Sequence, residues 1–401
     1  MERQRCRRIS WGILISFNFL PITRGLLRTL PLPPCLDARD LPSQQALDAY
    51  IKKGPCVLTH AFDKDPNTRK MADDTFSDTF FEEFQDVELE VQLKRNSKIA
   101  KPRLYSGTLA GIVDGMMQKS THEEAWYLLN EKLLEDSQNR KIKDPFRLPP
   151  SLFGKLDYFD LFPQRIRPKK HCLILGGTGA RSFLHVDPFE WTGVNYLLEG
   201  RKIWTFFPPC SADLGLKRVL PEAWEGEVSA GWKSTDFDLY YKVPEIFEGA
   251  VTLDLPEVLA DVEGVQALVQ EEGELVVIPP GWAHQVYHLK PGLSLAWQVC
   301  NHGNLKNVIM HMLTWAIESG GNLRHAQERP LHGGKAGLGQ MEGTQEHVTR
   351  MVEIICQDTT EGVDERHQVM ATIEKALRQA MILRHGPERG LQAYERLWQK
   401  Q

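Results

Sequence analysis

The segment that most constrains this chain runs from Gly179 to Pro209, GARSFLHVDPFEWTGVNYLLEGRKIWTFFPP. It contains His185-Val186-Asp187. Residues two apart in a β-strand point to the same face, so both side chains can converge on one ion. A later segment, Ile278-Pro-Pro-Gly-Trp-Ala-His284, offers a second imidazole. Two histidines and one carboxylate that leave coordination positions open make the facial triad of a non-haem iron centre. An isolated HxD arises often by chance, and an isolated His in a strand is usually a satisfied core residue. The surroundings separate these readings.

The separating residue is Lys202. Gly200-Arg-Lys-Ile-Trp-Thr-Phe-Phe-Pro208 reads as a buried strand after a glycine turn, with Lys202, Trp204 and Phe206 on one face. A lysine beside aromatics on an apolar strand is costly unless an anion neutralises it. Two readings stand. Lys202 snorkels from a strand end, or it is the cation for the distal carboxylate of 2-oxoglutarate, whose other end chelates the iron.

These motifs resemble those of the Jumonji-C family of Fe(II)- and 2-oxoglutarate-dependent oxygenases. Within it, the chain is similar to the small hydroxylase branch that includes the arginine-demethylase/lysyl-hydroxylase and the factor-inhibiting asparaginyl hydroxylase. The shared pattern is a hydroxyl residue, HxD three positions on, an Asn, GxKxW with a Pro-rich strand end, and PxGWxH. Here these are Ser182, His185, Asp187, Asn195, Gly200, Lys202, Trp204, and Pro279 to His284. The resemblance implies that His185, Asp187 and His284 bind Fe(II), that Ser182, Asn195 and Lys202 hold 2-oxoglutarate, and that O2 is consumed. It implies a mainly β fold: a double-stranded β-helix (jelly-roll or cupin) barrel with flanking helices, followed by a C-terminal helical region.

Two departures stand out. Ser182 replaces the usual Thr. In Leu293-Ser-Leu-Ala-Trp-Gln-Val299, Ala296 and Gln298 stand where the closest branch carries Thr and Asn, so one expected cosubstrate hydroxyl is absent. Strand parity also sets Ser182 on the face opposite His185, so the chain must bulge between them.

Net charge is −5 and the isoelectric point about 6.2, which gives no electrostatic case for nucleic-acid binding. The seven cysteines are scattered, with no CxxC pair. That argues against zinc modules and a disulfide framework, and for a reducing compartment. Residues 1–33 carry Arg3, Arg5, Arg7 and Arg8 ahead of Ile9 to Leu20, with no acid between Glu2 and Asp37. They read either as an N-terminal extension or as a targeting peptide. The apolar run falls short of the about 20 residues a membrane span needs. Localisation stays open among cytoplasm, nucleus and, if residues 1–33 target the chain, an organelle.

Residues 34–302 read as the catalytic domain. A helix capped at Ser43 and ended at Gly54 leads into a strand at Pro55–Thr59. Glu88–Leu93 alternates like a strand, Tyr105–Met117 reads as a short helix, Trp126–Leu129 as a strand and Pro145–Phe162 as irregular. Gly176-Gly-Thr-Gly-Ala180 lacks the helix behind it that a phosphate cradle needs. It reads as a turn that brings backbone close to the cosubstrate. Between Pro209 and Glu271, Trp224, Trp232, Phe237, Tyr240 and Tyr241 pack simply or wall a substrate site over the barrel mouth. His288 and His302 read as structural or exposed. Ser294, Ala296 and Gln298 form a small polar face that suits a pocket lining.

Residues 303–401 turn helical, with apolar positions at helical spacing around Leu305–Ile317, Val348–Ile355 and Met370–Met381. These stripes cover the barrel or form a homodimer interface. The expected activity is hydroxylation of a protein side chain. The alternatives are lysine or arginine demethylation, hydroxylation of a tRNA base, and a metal-binding cupin scaffold without catalysis.

Overall fold

A computed structural model of the chain describes residues 26–63, 78–97, 102–131, 148–162, 171–209, 238–247, 249–255, 262–311 and 365–398, with short pieces at 133, 168–169, 233–235 and 259. In chain order the elements are β1 Leu26–Thr29, β2 Cys35–Asp37, α1 Gln44–Ile51, β3 Cys56–Thr59, α2 Asp78–Phe84, β4 Glu88–Arg95 and β5 Arg103–Thr108. They continue with α3 Leu109–Gln118, β6 Glu124–Asn130, α4 Pro150–Phe153, β7 His171–Gly176, β8 Leu184–Val186, β9 Thr192–Phe207 and β10 Lys233–Thr235. Then come β11 Glu245–Phe247, β12 Ala250–Leu255, β13 Gln266–Glu271, β14 Leu275–Ile278, β15 Ala283–Val299, α5 Glu365–His385 and α6 Pro387–Trp398.

Two long strands organise the barrel. The first half of β9 lies between β14 and the second half of β15, and its second half lies between β13 and the first half of β15. Each strand therefore serves both walls and folds over at its middle. Glycine makes the fold-over possible. Gly200 has φ +102°, and a Cβ there would sit 2.5 Å from the Pro291 carbonyl oxygen, while one at Gly292 would sit 2.7 Å from that of Glu199. The register slips between His288 and Ser294, where the chain turns the corner. The larger wall continues from β15 through β7, β6, β4 and β5, and the smaller one through β8 and β10. The β-helix expected from the sequence is thus present, with β13 and β14 as its short strands.

The polar face named on β15 is inward. Ser294, Ala296 and Gln298 alternate with Leu293, Leu295, Trp297 and Val299, which join the main core with Leu173, Leu175, Val194 and Tyr196.

Several expectations need correction. Leu26–Thr29, assigned above to the N-terminal extension, is a strand paired with β12, and Leu30 is buried in the core. The folded unit therefore reaches back before residue 34, while residues 1–25 lie outside the described residues. The short helix expected within Tyr105–Met117 is present as α3, while Tyr105 to Thr108 ahead of it belong to β5. The helix starts at Leu109, because the Thr108 hydroxyl accepts from the Gly111 N–H at 3.2 Å and caps it. Pro145–Phe162 is less irregular than expected, holding α4 and a 3-10 turn at Tyr158–Leu161. The stretch between Pro209 and Glu271 supplies β10 to β13, so it builds wall as well as cover. Tyr240 is fully buried there, its hydroxyl 2.8 Å from that of Thr205, which is simple packing. Trp224, Trp232 and Phe237 lie outside the described residues.

The C-terminal helices also settle part of an open choice. Ile373, Leu377 and Met381 of α5 are buried against Tyr158, Phe159, Phe189 and Trp191. This stripe is covered by the chain's own core, which removes it as an exposed dimer face. The described start of the Leu305–Ile317 stripe is covered in the same way, with Val308 and Ile309 buried in that cluster, while the rest of it, the stripe at Val348 and the Gly-rich run at 332–339 lie outside the described residues. Among the described residues, no helix is long and apolar enough to cross a membrane.

Candidate active site

His185 on β8 lies directly opposite His284 on β15, and their rings are 4.3 Å apart. Asp187 follows at the end of β8, where Pro188 begins a tight turn. Each of the three offers a ligand atom within 4.8 Å of the others. Phe189 and Glu190 both have φ near +50°, a strained conformation for non-glycine residues. Surrounding contacts hold the turn: Glu190 accepts from the Asn307 side chain at 2.8 Å and meets His311 at 3.1 Å. α5 packs on Phe189 from behind.

The imidazoles are oriented for metal. His185 Nδ1 lies 2.8 Å from the Phe183 carbonyl and His284 Nδ1 3.1 Å from that of Trp282. A carbonyl requires a donor, so Nδ1 carries the proton and Nε2 the lone pair on both rings. Burial, then the neighbouring His185, pushes His284 down to about 4, which keeps it neutral over the physiological range. Burial raises Asp187, but interaction with the neighbouring His185, His284 and Trp191 outweighs it and holds the carboxyl below its usual value. Two imidazoles and a carboxylate fit Fe(II). His185 and Asp187 side chains are each 21% exposed whereas His284 is 3%, so the cluster opens to one side only. Trp204 and Phe206, stacked 5.7 Å apart, wall it on the side of His284.

The bulge that parity demanded is present, and Ser182 builds it. Arg181 pairs with Tyr287 and His185 with His284, so β8 gains one residue on β15 between the two pairs. The Ser182 hydroxyl accepts from the Val286 N–H at 3.1 Å and donates to the Phe183 carbonyl at 2.9 Å. Behind it lies a buried ionic cluster. Arg181 meets Asp238 at 2.5 Å and Lys94 stands 3.7 Å from the same carboxylate. Gln285 ties that carboxylate to the Ser182 carbonyl, at 3.0 and 2.8 Å.

Asn195 and Lys202, also named from the sequence, meet deeper in the barrel. Both are buried, and both donate to the Ser294 hydroxyl, Lys202 at 2.5 Å and Asn195 at 3.5 Å. Burial pushes the Lys202 ammonium down from 10.5 to about 7. That disposes of the snorkelling alternative, since the amine does not reach water. Among the described residues Asn195 Oδ1 has no hydrogen-bond partner. A buried cation with N–H groups to spare suits a bound carboxylate.

Sequence reasoning missed several neighbours. Tyr127 on β6 reaches this interior, its ring 6.2 Å from that of His288, and burial raises its phenol above the usual range. Cys172 lies opposite Ala296 on β7, and burial pushes its thiol up as well. Gly193 is the closest: a Cβ there would fall 2.6 Å from Asp187 Oδ2. A glycine after the HxD turn was the available signal. Within 176–180, Gly177 and Gly179 make room for neighbouring chain. A Cβ at Gly177 would strike Ser120, and one at Gly179 the backbone of Thr121 and His122. His302 is exposed and His288 fully buried.

Residues 42–303 match the cupin-like domain family. Among curated proteins, the chain is 26% identical over 263 residues to the Lysine-specific demethylase JMJ21 of Arabidopsis thaliana, 66% of this chain and 25% of that protein. It is 26% identical over 195 residues to the 2-oxoglutarate and iron-dependent oxygenase JMJD4 of Mus musculus, covering 48% and 39%. It is 24% identical over 190 residues to the Bifunctional arginine demethylase and lysyl-hydroxylase psr-1 of Caenorhabditis elegans, covering 47% and 44%. The chain thus spans between a quarter and under half the length of these relatives.

Proposed function

We propose, because the chain belongs to the cupin-like domain family, that it is an Fe(II)- and 2-oxoglutarate-dependent oxygenase whose substrate is a protein side chain. The observation that carries this reading is the pairing of two sites in one barrel: a facial group of His185, Asp187 and His284, and a buried ammonium, Lys202, deeper in. A scaffold needs neither. When bound, Fe(II), 2-oxoglutarate and O2 together supply oxidising power for a C–H bond, with succinate and carbon dioxide as products.

The chain's own residues do the rest. His185 and His284 present Nε2 lone pairs fixed by carbonyl bonds at Nδ1, and Asp187 stays ionised beside them. Lys202 and Asn195 hold the distal carboxylate, and Ser182 keeps β8 bulged so that His185 faces inward. Trp204 and Phe206 exclude water from the His284 side.

Hydroxylation of a ring or chain carbon is the main reading. Demethylation is the second, favoured by relatives that are named demethylases. Both attack carbon; an oxidised N-methyl group is lost as formaldehyde, whereas an oxidised chain carbon remains an alcohol. The acidic balance of the chain speaks against a tRNA substrate. A homodimer through helical stripes outside the described residues completes the proposal.

Succinate formation by the iron-loaded full chain tests the class, with Asp187→Ala as control. Turnover by that variant equal to wild type defeats the reading. Mass spectrometry of captured substrates then separates the two chemistries: a gain of one oxygen supports hydroxylation, and loss of methyl groups with matching formaldehyde supports demethylation.

A further inference from the structure

The cosubstrate pocket departs from its family pattern at Ala296, where a hydroxyl is missing, yet a hydroxyl is present two residues away on the same face. Ser294 and Ala296 both point inward from β15. Gln298 pairs with Gly193, the residue that abuts Asp187, so β15 runs toward the metal end as its numbers rise. Ser294 therefore lies deeper than Ala296 by two residues, about 7 Å of strand.

Unfilled hydrogen-bond capacity in this interior lies mostly on the donor side, Asn195 Oδ1 and one nitrogen of His288 being the unpaired acceptors beside it. A serine hydroxyl has two acceptor sites and one hydrogen to give. Both acceptor sites of Ser294 are taken, by Lys202 and by Asn195. Its hydrogen has no acceptor among the described residues. Lys202 has three N–H groups, of which Ser294 takes one.

His288, paired with Lys202 across the sheet, is fully buried, and neither of its ring nitrogens has a partner among the described residues. Its place is built: a Cβ at Gly176 would fall 2.6 Å from the imidazole, so only glycine there leaves room for the ring. Buried polar side chains are rarely left unpaired, and donors outnumber acceptors here, which marks an anion's place.

We propose that Ser294 and His288 replace the hydroxyl that Ala296 lacks and, with Lys202, seat the distal carboxylate of 2-oxoglutarate one pleat deeper in the barrel. The proposal rests on the cosubstrate reading above. Ser294 gives its hydroxyl hydrogen to the carboxylate and steers the ammonium onto it. His288 gives its single N–H from the other half of β15, beyond the fold-over. Both are positioning residues for the cosubstrate and touch neither metal nor substrate carbon.

The test is calorimetric titration of 2-oxoglutarate into the full chain loaded with Mn(II) without oxygen, so that binding is read apart from turnover. Ser294→Ala is expected to weaken binding at least tenfold and His288→Gln at least threefold, each with Mn(II) affinity within twofold of wild type. The double variant Ser294→Ala/Ala296→Thr, which moves the hydroxyl back, is expected to regain at least threefold of the loss. Melting curves confirm that each variant is folded, and Ser294→Ala removes too little volume to unfold a barrel. If wild type binds 2-oxoglutarate and Ser294→Ala binds it equally, the seat is wrong while the cosubstrate reading stands. If wild type does not bind it at all, the cosubstrate reading falls first and the seat with it.

Discussion

Replacing Lys202 by methionine should stabilise the ligand-free protein while abolishing its response to 2-oxoglutarate. The side chain is 1% exposed, and burial lowers its ammonium from 10.5 to about 7. At roughly 1.4 kcal/mol per tenfold, that drop represents about 5 kcal/mol of unfavourable burial, of which about 4 kcal/mol acts at pH 7. Methionine has similar reach and no charge. The variant loses the Lys202 hydrogen bond to Ser294, whose hydroxyl keeps only the longer one from Asn195, a cost of about 2 kcal/mol. The net gain of about 2 kcal/mol should raise Tm by roughly 2–4 °C in a unit of this size.

The sign with pH follows from the same numbers. Because the folded value is the lower one, the unfolded chain holds a proton that the folded chain has released between about pH 7 and 10.5. Wild-type stability from this group therefore rises across that window and sits at its lowest below it. The advantage of Lys202→Met should be largest near pH 7 and shrink toward pH 10. Saturating 2-oxoglutarate should raise the wild-type Tm and leave the variant unmoved. The assay is thermal melting from pH 6.5 to 10 with and without 2-oxoglutarate. A variant less stable than wild type at pH 7, or one stabilised equally by 2-oxoglutarate, would refute the reasoning.

Three further outcomes follow. Gly193→Ala places a methyl where only 2.6 Å separates it from Asp187 Oδ2, and should lower metal affinity at least tenfold by titration with little change in Tm. Asp238→Asn leaves Arg181 and Lys94 facing each other in the buried cluster; it should cost about 3–5 kcal/mol in denaturant unfolding and weaken metal binding through the Ser182 bulge. Light scattering at micromolar concentration should give twice the mass of the chain if the remaining helical stripes associate, and the monomer mass if they only cover the barrel.

The parts of the site legible in sequence were those that local geometry dictates. His185 and Asp187 share a face by strand parity, Lys202 stood out as a charge on an apolar strand, and the Ser182 bulge followed from counting. Ser294, Ala296 and Gln298 read correctly as an inward face. The unseen parts depend on which strands become neighbours. Tyr127 and Cys172 reach the interior only because β6 and β7 extend the wall beside β15. His288 read as structural because parity places it beside His284 but cannot reveal Lys202 across the sheet. Gly193 has no periodicity to betray it; its meaning is the empty space next to Asp187. The helix within Tyr105–Met117 was legible but its start was not, since only the Thr108 cap marks the join between β5 and α3.

The pairing of Ser182 with Val286 joins residues 104 apart in the chain. A nascent polypeptide therefore displays the HxD strand long before β15 exists to receive it. Such distant closure is slow, since the intervening loop must be ordered before any contact repays it. Until β15 is synthesised, the inward edge of β9 stays unpaired and open to wrong partners. Assembly of the proposed metal site consequently waits until β15 has emerged, and a ribosome stalled ahead of His284 would release an aggregation-prone barrel half that lacks the third candidate ligand.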